Sequence, residues 1–134
     1  MTRLKRLDHV AIVVRELEGA AQAWERNLGL KAEHVLEPAG SNMRLASLPA
    51  GNAFVELVQP LTPDHRKAAF IDERGEGMVS LAIEVDDLEA AVAELRGRGV
   101  QVSDPEPAVW EGTRLARISP ESAHGVAINL LQRQ

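Results

Sequence analysis

A near-copy of one segment restricts the fold of this chain more than any other feature, because a repeated unit is a supersecondary structure that its neighbour completes. Leu7-Asp8-His9-Val10-Ala11-Ile12-Val13-Val14-Arg15-Glu16-Leu17-Glu18-Gly19-Ala20 returns 71 residues later as Met78-Val79-Ser80-Leu81-Ala82-Ile83-Glu84-Val85-Asp86-Asp87-Leu88-Glu89-Ala90-Ala91. Each copy opens on an alternating strand pattern and passes into a helical one, where Leu88, Ala91, Val92 and Leu95 recur at i, i+3, i+4 and i+7. Each helix stops at a glycine, Gly29 or Gly99, which takes the left-handed conformation that ends a helix. The helices are expected from about Arg15 to Leu28 and from Asp87 to Arg98, with strands at Met43 to Leu48, Ala53 to Val58, Arg114 to Ile118 and Val126 to Leu131. This is βαβββ, twice. The segment from about Thr62 to Gly77 links the halves, with room for a short helix at Ala68 to Ile71.

Bulk properties narrow the class. With 134 residues, 45% of them hydrophobic, the chain suits one compact domain of residues 1–134, divided into a module of about 5–61, a linker of about 62–77 and a module of about 78–133. The expected setting is cytoplasmic, since no apolar run approaches a membrane span and the first residues lead straight into a strand. There is no cysteine, so any metal must be held by His, carboxylate or amide groups. A net charge of −5 with scattered basic residues argues against nucleic acid as a partner, which calls for a concentrated cationic face.

Alternation assigns the strand side chains to faces. His9 falls opposite Val10, Ile12 and Val14, and Glu56 falls opposite Ala53, Val55 and Leu57. In the second copy Ser80 and Asn129 take the equivalent places. Four polar groups at matched positions, all turned from the helix-covered side, mark a cleft rather than a solvated surface.

The chain resembles the vicinal oxygen chelate superfamily, which includes glyoxalase I, extradiol dioxygenases, bleomycin-resistance proteins and methylmalonyl-CoA epimerases, and it is most similar to the epimerases. The resemblance rests on Leu7 to Ala11, Gly51-Asn52 with Val55-Glu56-Leu57 and Pro60-Leu61, Glu73 to Gly77, Ala82 to Ala91 and Ser119 to Val126, in that order. It implies an α+β fold of two βαβββ modules, mixed curved sheets enclosing a cleft with helices outside, and a homodimer. It also implies a divalent metal (Co, Mn, Zn, Ni or Mg) held by two His, a Glu or Gln and a C-terminal Glu, and an acyl-CoA-like substrate or other small molecule.

Carried over residue by residue, the metal ligands are His9 and Glu56. The other two positions fall on Ser80 and Asn129, a poor and a moderate donor, so metal binding is expected to be weak or absent. Asn129 accepts no proton at any useful pH, which leaves Glu37, near the family's second catalytic carboxylate, as the candidate base; it also reads as an exposed loop acid. Glu84, on the face of Ser80, is a candidate additional acid. His124 reads as a turn support, and His34 and His65 as exposed. Arg44, Arg114 and Arg117 are candidates for an anionic substrate, on faces that alternation leaves open. Two functions fit: a lyase or isomerase on a small acyl thioester or 2-oxo acid derivative, and a non-catalytic small-molecule binder of the bleomycin-resistance type.

Overall fold

A computed structural model describes residues 4–134. It divides into two compact units, His9–Val79 and, among the described residues, those up to Asp8 with Ser80–Gln134. β1 (Leu4–Val13) contributes to both. The first unit continues with α1 (Leu17–Leu28), β2 (His34–Leu36), β3 (Met43–Ala50), β4 (Ala53–Pro60) and α2 (Arg66–Arg74). The second has β5 (Gly77–Val85, with its start in the first unit), α3 (Leu88–Gly97), β6 (Glu106–Pro107), β7 (Arg114–Ile118) and β8 (Ile128–Gln132). Each unit is therefore βαβββ, mixed in strand direction, as the glyoxalase-like reading requires.

In the first unit the hydrogen-bonded order is β2-β3-β4-β1, with β4 parallel to β1 and antiparallel to β3. α1 covers one face, where Val14, Leu17, Ala46, Leu48 and Leu57 are buried with Ile12 and Trp24 packed against them. The other face is also dry at Val13, Leu45 and Val58. In the second unit the order is β5-β8-β7-β6, and Val85, Leu88, Val92, Ala116 and Leu130 pack with Ile83 around α3.

The helix ends follow from side-chain chemistry. Glu16 accepts hydrogen bonds from the amides of Glu18 and Gly19, and Asp87 from that of Ala90, meeting donors that the first turn leaves unpaired. A second device recurs: Gln59 Oε1 accepts from the Leu17 amide at 2.9 Å, and Gln132 Oε1 from the Leu88 amide at 2.7 Å. Gly29 ends α1 at φ 71°. Past α3, the Val100 amide reaches Leu95 O and the Gly99 amide reaches Arg96 O with Gly99 at φ 84°, the pairing of a Schellman turn.

Three local expectations need correction. The last strand starts at Ile128, not Val126, because the amides of Gly125 and Val126 bond to Pro120 O and Ala123 O in the preceding 3-10 turn (Pro120–Ala123). The linker helix spans Arg66–Arg74, longer than Ala68 to Ile71, because His65 caps it: Nδ1 accepts from the Lys67 amide at 3.1 Å. His65 is thus a half-buried cap rather than an exposed loop residue, and desolvation, with Lys67 nearby, lowers its pKa. The strands β2 and β6 are too short for alternation to locate.

Candidate functional site

The first unit gathers its polar chemistry on the face away from α1. In register, His9 is level with Phe54 and Ala11 with Glu56, so His9 lies diagonally across from Glu56. The His9 ring stacks on Phe54, centroids 4.7 Å apart and planes inclined by 20°. Its Nε2 is 3.8 Å from Glu56 Oε2, too long for a hydrogen bond and within reach of an ion pair when the ring carries a proton. The two residues are 7% and 8% exposed. Stacking holds the imidazole plane, and the parallel ladder holds the carboxylate beside it.

β3 extends this face. Ser47 is directly opposite Glu56, and His34 on β2 is directly opposite Ser47, so one transverse row reads His34, Ser47, Glu56. His34 is exposed at the end of that row, with Glu33 Oε2 3.9 Å from its Nε2. Ser47 is the residue that sequence reasoning missed. The clue was the Gly51-Asn52 turn, whose tightness sets the β3–β4 register and therefore the residue facing Glu56.

The second unit repeats the geometry with different groups. Ala82 is level with Asn129 just as Ala11 is with Glu56, which puts Ser80 and Asn129 in the diagonal relation of His9 and Glu56. Both are half-buried. Arg117 faces Asn129 across β7 and β8, the place that Ser47 holds opposite Glu56. The open question of the three arginines is thereby answered. Arg44 pairs with Glu18 of α1 and Arg114 with Glu89 of α3, both on the helix side, while Arg117 shares the Asn129 face and pairs with Glu106. The hydrogen bond from Arg44, with help from Glu16, holds the Glu18 carboxyl at about 2.

The remaining candidates have other partners. Glu37 is 62% exposed, and its carboxylate is 3.9 Å from Nε of Arg44, on the α1 side. Glu84 accepts from Arg6 Nε at 2.9 Å and lies 3.8 Å from Lys5 Nζ, so two cations engage it. Arg6 also reaches Asp8, which is fully buried and takes a bidentate pair from Arg133 at 2.7 and 2.8 Å. This network closes the second unit; it is ionic packing rather than a free acid. His124 takes a left-handed φ of 55° after the 3-10 turn, as a turn support should. Trp24 packs against the α1 core and lines a cavity of about 460 Å³ beside Ile12 and Arg15 that includes neither His9 nor Glu56.

Among the described residues, no group of three or more His, Cys, Asp or Glu side chains is gathered to hold a metal ion. His9 and Glu56 offer two strong donors, whereas a catalytic divalent site uses at least three protein ligands and an open position. The donor set does not fit the divalent metal that the fold family implies. No helix among the described residues is long and apolar enough to cross a membrane.

Comparison with known proteins places this geometry in context. The sequence profile of the Glyoxalase/Bleomycin resistance protein/Dioxygenase superfamily matches residues 8–116. Human mitochondrial methylmalonyl-CoA epimerase is 30% identical over 131 residues, covering 96% of this chain and 74% of that protein. The crystal structure of the Mycobacterium tuberculosis methylmalonyl-CoA epimerase superposes with a TM-score of 0.88 at 32% identity, over 98% of this chain and 89% of that one. A variant Streptomyces coelicolor methylmalonyl-CoA epimerase in complex with 2-nitronate-propionyl-CoA gives 0.90 at 25% identity, over 98% and 96%.

Proposed function

Because the chain belongs to the glyoxalase/bleomycin resistance/dioxygenase superfamily and is methylmalonyl-CoA epimerase-like, we propose that it is an isomerase- or lyase-type enzyme acting on a small acyl thioester without a tightly held metal. The observation that carries this reading is the buried His9–Glu56 pair, 3.8 Å apart and braced by Phe54. An unprotonated imidazole can take the α-proton of a thioester: the C–H bond breaks, an N–H bond forms, and the electron pair moves into the thioester carbonyl as an enolate. The imidazolium so formed sits 3.8 Å from the Glu56 carboxylate, which balances its charge during the step. For an isomerase, the enolate carbon then takes a proton from solvent on its opposite face, which inverts the centre, and the imidazolium releases its own proton to water. Glu37 has the weaker claim to the role of base, being exposed and beside Arg44. The acyl-CoA ligand of the Streptomyces relative supports the substrate class.

A second reading, a non-catalytic binder, is favoured by one observation: a hydroxyl and an amide stand at Ser80 and Asn129, where the resemblance calls for strong ligands. Deuterium exchange separates the two. With the protein in D2O, methylmalonyl-CoA and propionyl-CoA are followed by mass spectrometry, with and without chelator. Isomerase- or lyase-type chemistry predicts α-deuteration that survives chelator and falls by about a hundredfold in His9→Gln, the loss of one general base. Tight acyl-CoA binding with no exchange would establish the binder. Exchange lost on chelation would overturn the metal-independent reading.

A further inference from the structure

We infer that Ser47 is a ligand-contacting residue of the His9–Glu56 site, its hydroxyl hydrogen-bonding an oxygen of the acyl group; this rests on the acyl-thioester reading above. Ser47 is 7% exposed, on the central part of β3, and stands directly opposite Glu56. Residues opposed across antiparallel strands share a face with Cβ atoms roughly 5 Å apart, so its side chain borders the same space as the carboxylate. Among the described residues the Ser47 hydroxyl has no hydrogen-bond partner, although its backbone oxygen accepts from the Glu33 amide. It is also not among the side-chain atoms that are sealed from solvent without a partner, so the hydroxyl stays open to its surroundings. An open, unpartnered hydroxyl opposite Glu56 is placed to meet an oxygen of a ligand seated there.

The surroundings say what kind of ligand. On this face Ser47 has Leu45 and Pro49 as its neighbours along β3, and Phe54 and Val58 flank Glu56 on β4. The environment is apolar apart from His34, Ser47, Glu56 and His9. A serine hydroxyl offers one donor and two acceptor sites. With Glu56 acceptor-only when ionised, the donor is what a ligand oxygen would require of this face, because a carbonyl or carboxylate oxygen beside Glu56 is repelled unless an O–H or N–H offsets it. The ligand class is a short, oxygen-bearing acyl group seated against an apolar wall.

The test uses the full chain, with methylmalonyl-CoA, propionyl-CoA and free CoA titrated by calorimetry against wild type, Ser47→Ala and Ser47→Thr. The expected result is that wild type binds an acyl-CoA more tightly than free CoA, and that Ser47→Ala loses about tenfold of that preference, the worth of one hydrogen bond. Affinity for free CoA should be unchanged. Ser47→Thr, which keeps the hydroxyl, should retain the preference. A structural role would lower the melting temperature of the unliganded protein; a ligand role predicts that Ser47→Ala melts at the wild-type temperature, because no hydrogen bond within the protein is lost. Retention of the full acyl preference in Ser47→Ala would overturn this inference and leave the acyl-thioester reading standing. Equal affinity of wild type for acyl-CoA and free CoA would overturn that reading, and this inference with it.

Discussion

The two βαβββ units keep the same scaffold and differ in what they mount on it. Ala11 is level with Glu56, and Ala82 with Asn129; Gln59 holds the amide of Leu17, and Gln132 that of Leu88. Strand register and helix seating are thus repeated to the individual residue. The groups on the face away from the helix are not. One unit has a buried imidazole and carboxylate with a serine alongside, and the other has Ser80, Asn129 and Arg117, with its acids Asp8 and Glu84 held by Arg133, Arg6 and Lys5. The lesson is that a β-ladder tolerates free change in side chains on one face while its backbone bonds and the opposite apolar face stay constant.

The largest effect should come from the ionic network, which sharpens the contrast between charge used for packing and charge used for chemistry. Arg133→Leu leaves the fully buried Asp8 with Arg6 as its hydrogen-bonding arginine and should cost about 3 kcal/mol in chemical denaturation, as loss of one partner of a buried ion pair does. Exchange activity per folded molecule should be unaffected. A cost below about 1 kcal/mol would show that the pair behaves as a surface contact.

Next in size is an attempt to erase the difference between the units. Ser80→His with Asn129→Glu rebuilds the ligand set that the family resemblance assigns, and should raise affinity for cobalt or manganese at least a hundredfold, about 2.7 kcal/mol. Calorimetric titration of wild type and double variant decides it. Tight stoichiometric metal in the wild type, or no gain in the variant, would mean that the ligands have been misassigned.

A smaller effect probes the shared scaffold. Gln59→Ala and Gln132→Ala should each destabilise the protein by about 1 kcal/mol, in the range of a lost helix N-terminal hydrogen bond. The two losses should agree within about 0.5 kcal/mol, roughly the precision of such comparisons. Unequal losses would show that the repeat is geometric without being energetic.

The smallest effect lies outside both repeats, at the cap of α2. His65 must be neutral at Nδ1 to accept the Lys67 amide, and its folded pKa is lowered by desolvation. The unfolded chain therefore binds a proton first as pH falls, so this contribution is complete above the unfolded value of about 6.5 and is lost as pH drops through the lowered folded value. His65→Ser, a good cap that does not titrate in this range, should flatten that part of the stability curve measured by thermal melting. An unchanged slope would remove His65 as its source.

Much of the architecture was legible in the chain because local chemistry decides it. A repeat of 71 residues announced two like modules, glycines announced both helix ends, and period-two alternation put Ile12 and Val14 against α1 and His9 and Glu56 opposite. The departures arose where short-range rules run out. Val126 was diverted by hydrogen bonds from a 3-10 turn, His65 became a cap because its ring nitrogen met a free amide, and β2 and β6 carry too few residues for a period to register. The faces of Arg44, Arg114 and Arg117 came with the strand register, which pairs them with Gln59, Gln132 and Asn129.

The sequence by itself determined the pair of βαβββ modules and the polar positions at His9, Glu56, Ser80 and Asn129, because these depend on residue identity and on periodicities of a few residues. Only the tertiary structure decided that Ser47 faces Glu56, that His9 rests on Phe54, that Glu84 is engaged by Arg6 and Lys5, and that Glu37 lies by Arg44. Each of those outcomes is a cross-strand or long-range pairing, set by register and by which buried charges find each other once the backbone is in place.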